Sequence, residues 1–270
     1  SCNFDRRLYL SFEPFPQGRE SVIPVIFSIG PIHLFSYGLC LAAGMLVSLF
    51  LMRRRASREG FPKPDDCSDM MFWLFIWGFS GARLLYVLQN SAYYLSNPLK
   101  IFAVWEGGLI FYGGTISALL GFWVTARIQK HSFWRLLDFI VPYVALTQFF
   151  GRVGCFLNGC CYGKTCSLPW AVHFPQSSGP VHPTQLYEAG YSLVLFFFLQ
   201  SRTARTGFNG KTGLLYFMLY AAGRYLTEFV REQEIYWLGF TFNQWVSLVL
   251  FALALAIFLM LRRAASRQLP

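Results

Sequence analysis

Charge is scarce in this chain. Only 13% of its 270 residues are Asp, Glu, Lys or Arg, and just 13 are acidic. A soluble domain of this length needs more polar surface than that to meet water, so the composition excludes an ordinary soluble fold. Histidine is scarcer still, with His33, His131, His173 and His182 the whole supply. There is no internal repeat and no low-complexity tract. The basic pair Arg6-Arg7 is not followed by an apolar h-region, since Glu13, Pro14, Pro16, Arg19 and Glu20 break the stretch, and no cleavable signal peptide is expected. Nor is there a basic face interleaved with exposed aromatics for base stacking. The net charge of +10 is therefore not read as nucleic-acid binding.

Apolar residues are plentiful: 55% are hydrophobic, 19% are aromatic, and the mean hydropathy is +0.42. The solvent for such a chain is largely lipid. Apolar runs near residues 32–52, 69–89, 109–126, 135–150, 185–200, 213–229 and 243–261 predict seven spans. Several fall short of the roughly 20 residues that cross a bilayer upright, so tilt or interfacial extension is expected.

Lys and Arg crowd into alternate loops. One set holds Arg53, Arg54, Arg55, Arg58, Lys63, Arg127, Lys130, Arg135, Arg202, Arg205, Lys211, Arg262, Arg263 and Arg267. The other holds only Arg6, Arg7, Arg19, Lys100, Arg152, Lys164 and Arg231. The positive-inside rule then puts the N-terminus outside and the C-terminus in the cytoplasm. The expected fold is an all-α integral membrane protein of about seven transmembrane helices with a small outer-face (periplasmic) loop domain. Its parts are an N-terminal outer-face segment (1–30), a seven-span domain (31–262) that includes a Cys/Gly-rich outer-face loop (151–184), and a basic cytoplasmic tail (263–270). Long ordered loops are uncommon unless they do something, so this one reads as a small outer-face domain or lid.

Several charges fall where lipid should not tolerate them. Arg83 lies inside the second apolar run, Arg152 at the mouth of the fourth, and Arg224 and Glu228 inside the sixth. Each costs several kcal/mol in hydrocarbon if left alone, so each must be paired, hydrated or bound to a ligand. Arg224 and Glu228 share a helix face by their i, i+4 spacing, and Arg231 follows three residues later. One reading is an internal salt bridge that fixes packing. The other is an anion site, since a guanidinium is always charged and forks onto phosphate oxygens. Arg83 is open between a site residue and a packing or snorkelling one.

Two stretches stand out. Gly151-Arg152-Val153-Gly154-Cys155-Phe156-Leu157-Asn158-Gly159-Cys160-Cys161-Tyr162-Gly163 carries four glycines, which permit close backbone approach, and Asn158, which both donates and accepts. His182-Pro183-Thr184-Gln185-Leu186-Tyr187-Glu188 opens the next apolar run, with Pro able to start a helix and Glu188 in its first turn. Alone, these are also compatible with simple turns and a helix start.

Together they resemble the bacterial prolipoprotein diacylglyceryl transferases. That family's central signature, approximately G-R-x-G-N-F-x-N-G-E-x-x-G, is matched at Gly151, Arg152, Gly154, Phe156, Asn158, Gly159 and Gly163. Its H-P-[ST]-Q-L-Y-E is complete from His182 to Glu188, and its R-[FY]-x-x-E-[FY]-x-R is matched by Arg224, Tyr225, Glu228, Phe229 and Arg231. S-Y-G-L stands at Ser36–Leu39, G-A-R-L at Gly81–Leu84 and W-[DE]-G-G at Trp105–Gly108. The resemblance implies a multi-pass enzyme of the bacterial inner membrane, N-terminus outside. Such an enzyme moves the diacylglyceryl group of phosphatidylglycerol to the lipobox cysteine thiol of a prolipoprotein signal peptide. The product is a thioether, glycerol 1-phosphate is released, and no cofactor and no metal is expected.

Carried to the matching positions, the catalytic expectation rests on Arg152, Arg224, Glu228 and Tyr112. Substrate contacts are expected from Tyr37, Arg83, Asn158, Gly159, Gly163, His182, Gln185, Glu188 and Arg231. Arg152 and Arg224 would grip the phosphate, with Asn158 and Tyr37 in support. Fixed guanidiniums there stabilise charge building on the leaving phosphate.

Two departures matter. Many members have F-H-G-G where this chain has Phe111-Tyr112-Gly113-Gly114, which removes the expected histidine. A tyrosine, with a pKa near 10, is a better hydrogen-bond donor than base at neutral pH. His182 can act in proton transfer or position the turn, Glu188 and Glu228 can each be a base or an arginine's partner, and His131 is expected to be solvated. The second departure is Cys155 and Cys160 in place of the usual Asn and Glu. With Cys161 and Cys166 they put four thiols in a short stretch on the oxidising face. The spacing is no recognisable zinc motif, and one or two loop disulfides are expected, with unpaired structural cysteines the alternative. Competing classes are a transporter or lipid-binding membrane protein, which would be expected to show repeats, and a membrane thiol oxidoreductase built on the Cys-rich loop.

Overall fold

The computed structural model describes residues 25–29, 32–103, 107–206, 210–232 and 235–266. Trp105 and Glu106 of the W-E-G-G motif, Cys2 and the charges of the first 24 residues lie outside them. Eight α-helices are present among the described residues, and four are long and apolar enough to cross a membrane: Ser36–Glu59, Pro64–Gln89, Phe133–Leu157 and, within the last helix, Phe242–Arg263. The surface is apolar where a soluble protein's would be polar. Leu46, Phe50, Phe72, Trp73, Ile116, Phe197, Leu253 and Met260 are all exposed, as lipid-facing side chains should be.

The chain divides into two compact units. The described part of one lies within residues 52–133; the other joins the described residues before 52 to those from Trp134 onward. In the first unit, α2 (Pro64–Gln89) packs on α4 (Phe111–Ile128), with α3 (Ser91–Ser96) and a 3-10 turn (Pro98–Phe102) between them in sequence. The α2/α4 contact is backbone to backbone. A Cβ on Gly113 would lie 2.6 Å from Leu85 Cβ, and one on Gly114 would lie 3.0 Å from the Gly78 carbonyl oxygen. Small residues of this kind let membrane helices approach closely where water supplies no hydrophobic drive. Pro64, Asp65 and Asp66 begin α2, which suits the positive end of a helix dipole.

His131 corrects the expectation of a solvated histidine. Its Nε2 lies 2.8 Å from Asp66 Oδ2, and its ring packs edge-on against Phe61. The turn after α4 folds back onto the start of α2, which periodicity alone does not show.

The second unit is built around α5 (Phe133–Leu157), buried along most of its first half from Leu136 to Leu146 and again at Gly154 and Cys155. The N-terminal half of α1 (Ser36–Glu59) lies against it. Ser48 Oγ is 3.0 Å from Thr147 Oγ1, and a Cβ on Gly154 would stand 3.1 Å from Cys40 Cβ and 3.2 Å from Tyr37 Cα. Further along come α6 (Thr184–Thr206), α7 (Lys211–Glu228) and α8 (Phe242–Ser266), with α7 packed on both neighbours. Two antiparallel hairpins precede α1 and α8: β1 (Val25–Ile29) with β2 (Ile32–Phe35), and β3 (Ile235–Trp237) with β4 (Phe240–Thr241).

The seven apolar runs fall on the seven long helices, but the ends move. Ile32–Phe35 is strand, while α1 continues through Arg53, Arg54, Arg55 and Arg58, whose charges suit a helix C-terminus. α5 continues seven residues past the expected end at 150, so Gly151–Leu157 is helix and not loop. One charge in the core escaped the sequence reading. Asp138, fully buried, accepts the Gly210 and Gly213 backbone N–H groups at 2.7 Å each and so caps the N-terminus of α7 from another helix.

Candidate functional site: an arginine–glutamate cluster beside a cysteine-rich loop

The end of α5, the start of α6 and the end of α7 meet, and each brings a charge. Arg152 comes from the last two turns of α5, Glu188 from the first turns of α6, and Arg224 and Glu228 from the last turns of α7, with Arg231 just beyond. Glu188 is the hub. Its Oε2 lies 2.6 Å from Arg152 Nη2, and its Oε1 lies 3.0 Å from Arg224 Nη1 and 3.3 Å from Arg231 Nη1. Arg224 Nη2 reaches the second carboxylate, Glu228 Oε2, at 3.1 Å.

Three guanidiniums against two carboxylates leave the cluster with one net positive charge. The Glu188 and Glu228 side chains are 9% and 0% exposed, while Arg152 keeps 23% of its side chain open. Glu228 is thus the most enclosed member of the network and Arg152 the most open. Buried ions in this arrangement are tolerable only because every one has a partner, and removing one strands the rest.

Glu228 is tied further out. Its Oε1 accepts Thr241 Oγ1 at 3.1 Å and Asn243 Nδ2 at 2.9 Å. Thr241 and Gln244 form a capping box at the start of α8, the Thr241 N–H donating to Gln244 Oε1 at 2.9 Å and the Gln244 N–H to Thr241 Oγ1 at 3.2 Å. The T-x-x-Q spacing is the sequence signal that could have found these partners.

The loop is positioned by backbone chemistry. Gly159, at φ 67°, ends α5 in a Schellman motif: the Gly159 N–H donates to the Phe156 carbonyl at 3.0 Å and the Cys160 N–H to the Cys155 carbonyl at 3.1 Å. The H-P-T-Q-L-Y-E turn then clasps it. Gln185 Nε2 donates to the Cys160 carbonyl at 2.6 Å and Thr184 Oγ1 to the Cys161 carbonyl at 2.8 Å. Gly163 sits where a Cβ would overlap the Val230 carbonyl and lie 2.9 Å from His182 Cβ, and its backbone pairs with that of Arg231. His182 Nδ1 is 3.3 Å from the Tyr187 hydroxyl, which also accepts Trp170 Nε1 at 2.8 Å. A small core of Phe174 and Val181, with Phe156, Tyr162 and Val172 around it, holds the loop together.

The remaining expected residues fall as follows. Tyr37 and Asn158 stand at the same helix ends of this unit, Tyr37 exposed at the start of α1 and Asn158 half-buried as α5 closes. Tyr112 and Arg83 belong to the 52–133 unit. Tyr112 is held at the start of α4 beside the packed glycines Gly113 and Gly114. Arg83 is buried and fully engaged. Nε donates to the Ile101 carbonyl at 2.9 Å, Nη1 to Gly107 at 2.6 Å and Gly108 at 3.2 Å, and Nη2 to Lys100 at 2.8 Å and Ala103 at 3.3 Å. Those five carbonyls match the five N–H groups a guanidinium owns, and Tyr86 and Tyr94 lie against its charge.

No disulfide is formed among the described cysteines. The expected loop disulfides give way to a cluster in which the Sγ atoms of Cys155, Cys160 and Cys161 all lie within 4.8 Å of one another. The cap that ends α5 turns Cys160 and Cys161 back over Cys155, a fold that linear spacing does not reveal.

Known proteins resemble this chain along most of its length. It is 38% identical over 244 residues to a phosphatidylglycerol–prolipoprotein diacylglyceryl transferase of Pasteurella multocida, covering 89% of this chain and 87% of that protein. A Bordetella avium protein of the same name is 38% identical over 255 residues, 91% of this chain and 97% of its own length, and one from Idiomarina loihiensis is 36% identical over 260 residues, 93% and 96%. With residues 24–260 matching the family model described as prolipoprotein diacylglyceryl transferase, the chain belongs to that family.

Proposed function

We propose that the chain transfers the diacylglyceryl group of phosphatidylglycerol to the lipobox cysteine thiol of a prolipoprotein, the first step of lipoprotein maturation, and that the Glu188-centred cluster is its phosphate site. The observation that carries this reading is the convergence of Arg152, Arg224 and Arg231 on one carboxylate at the ends of α5, α6 and α7. Helix ends lie near headgroup depth, where a phospholipid presents its phosphate.

In this reading the thiol sulfur bonds to the glyceryl carbon as that carbon's bond to the phosphate oxygen breaks. The electron pair leaves with glycerol 1-phosphate, and the thiol proton passes to solvent or to the departing phosphate. Charge grows on the phosphate oxygens, and Arg152 and Arg224 meet it without reorganising, because Glu188 and Glu228 already hold them in place. The net positive charge of the cluster also favours the attacking thiolate. Asn158 and Tyr37 add polar contacts at the same helix ends. His182 positions the turn through Tyr187, and Glu188 aims the guanidiniums. Arg83 anchors Lys100, Ile101, Ala103, Gly107 and Gly108 through their carbonyls.

The protein sits in the bacterial inner membrane with seven spans, the N-terminus and the 151–184 region outside, the C-terminus in the cytoplasm. The test incubates purified protein with phosphatidylglycerol vesicles and a lipobox peptide and reads the peptide mass. A diacylglyceryl adduct on the cysteine peptide, and none on its Cys→Ser counterpart, is the expected result. No adduct from folded protein overturns the reading.

A further inference from the structure

Nothing in the transfer reaction uses the three clustered thiols. Cys155 is buried in the last turn of α5 and Cys160 and Cys161 are half-buried beyond it, with the sulfurs of the latter pair 3.7 Å apart and all three within 4.8 Å of one another. Three sulfurs bound to one metal at about 2.3 Å lie about 4.0 Å from each other, whereas a disulfide needs about 2.05 Å. The observed spacing matches the first requirement with little movement and misses the second widely.

The backbone is also held for it. The Schellman cap ties Cys160 to Cys155, the Gln185 amide and Thr184 hydroxyl hold the Cys160 and Cys161 carbonyls, and Cys161 is kept at φ 65°, a conformation a non-glycine residue adopts at a cost of about 1 kcal/mol or more. We propose that Cys155, Cys160 and Cys161 form a three-sulfur binding site for a soft, thiophilic metal ion such as monovalent copper, zinc or cadmium. Sulfur-only donors select this class over magnesium, calcium or manganese. On binding, each thiol gives its proton to water, so a divalent ion releases three protons and leaves a single negative charge. Arg152, one turn earlier on α5, is the nearby positive charge that such a complex would meet.

The experiment titrates Cd2+ into the full-length, anaerobically reduced protein in detergent and follows the ultraviolet thiolate-to-cadmium band. The band is expected to saturate at one Cd2+ per chain, to vanish in the Cys155→Ser/Cys160→Ser/Cys161→Ser variant, and to survive in Cys40→Ser and Cys166→Ser. Wild-type protein supplies a check independent of variant folding: bound Cd2+ should shield Cys155, Cys160 and Cys161 from alkylation and leave Cys40, Cys67 and Cys166 at their metal-free rates. Absence of the band in reduced wild-type protein, its survival in the triple variant, or shielding of other cysteines instead overturns the site. Neither readout depends on transferase activity.

Discussion

Arg83 and Arg224 both stand in helices drawn from an apolar sequence, and both are largely withdrawn from solvent, yet their surroundings differ in kind. Arg83 is enclosed by five backbone carbonyls that use every N–H it has. Arg224 meets two carboxylates through its Nη atoms and shares one of them with Arg152 and Arg231. Carbonyl dipoles satisfy a guanidinium in place and leave a loop tied down. Carboxylates shared among several guanidiniums leave a cationic excess that another anion can use. The same residue type thus serves as a fastener in one unit and as a candidate ligand group in the other, and the acceptors decide which.

The sharpest way to break this comparison is to make one substitution at both positions. Arg224→Lys should lower turnover by about 100-fold while the melting temperature stays close to wild type, because an ammonium keeps the charge but not the fork. Arg83→Lys should do the reverse. It keeps at most three of five donors, so stability should fall by about 2–3 kcal/mol while activity per folded molecule stays unchanged. Turnover measured beside thermal unfolding in detergent separates the two, and equal behaviour of the two variants would erase the distinction.

Glu188→Gln probes the hub. Removing one partner of a buried ion network costs about 3 kcal/mol, and here three guanidiniums lose their common carboxylate, so lowered stability and weakened transfer are expected together. A smaller effect belongs to Asp138→Asn, which keeps one acceptor oxygen but turns an amide N–H toward a backbone N–H of the α7 cap. A loss of about 1–2 kcal/mol with unchanged kcat/KM for the folded fraction is expected, read by chemical or thermal unfolding. Smallest of all is Asp65→Ala. Its ion pair with Arg53 at 3.2 Å is exposed on both sides, so the change in stability should stay below about 0.5 kcal/mol.

Much of the architecture was legible in the sequence, and the misses have physical causes. Apolar runs located every long helix, because a lipid-facing helix must be apolar almost all round. Helix ends were missed wherever a partner made a charge tolerable. Arg152 reads as the point where a span must stop, yet with Glu188 2.6 Å away the helix carries on to Leu157. The two hairpins escaped because no strand in them is longer than five residues and each sits against a span that swamps its period. Asp138 was readable as a lone acid in an apolar run, but its partners are the N–H groups of Gly210 and Gly213, distant in sequence and without a side chain to announce them.

The sequence by itself determined the solvent of this protein, the places where its helices run and the family motifs that mark its chemistry, since these follow from composition, period and local order. It also named nearly every charge of the site. Only the tertiary structure decided how those charges are shared: that Glu188 is the common partner of three arginines, that Arg83 spends its donors on carbonyls, and that three cysteines separated by a helix cap close into one cluster. The reason is that pairing energies depend on distances between residues far apart in the chain, and those distances exist only once the helices have packed.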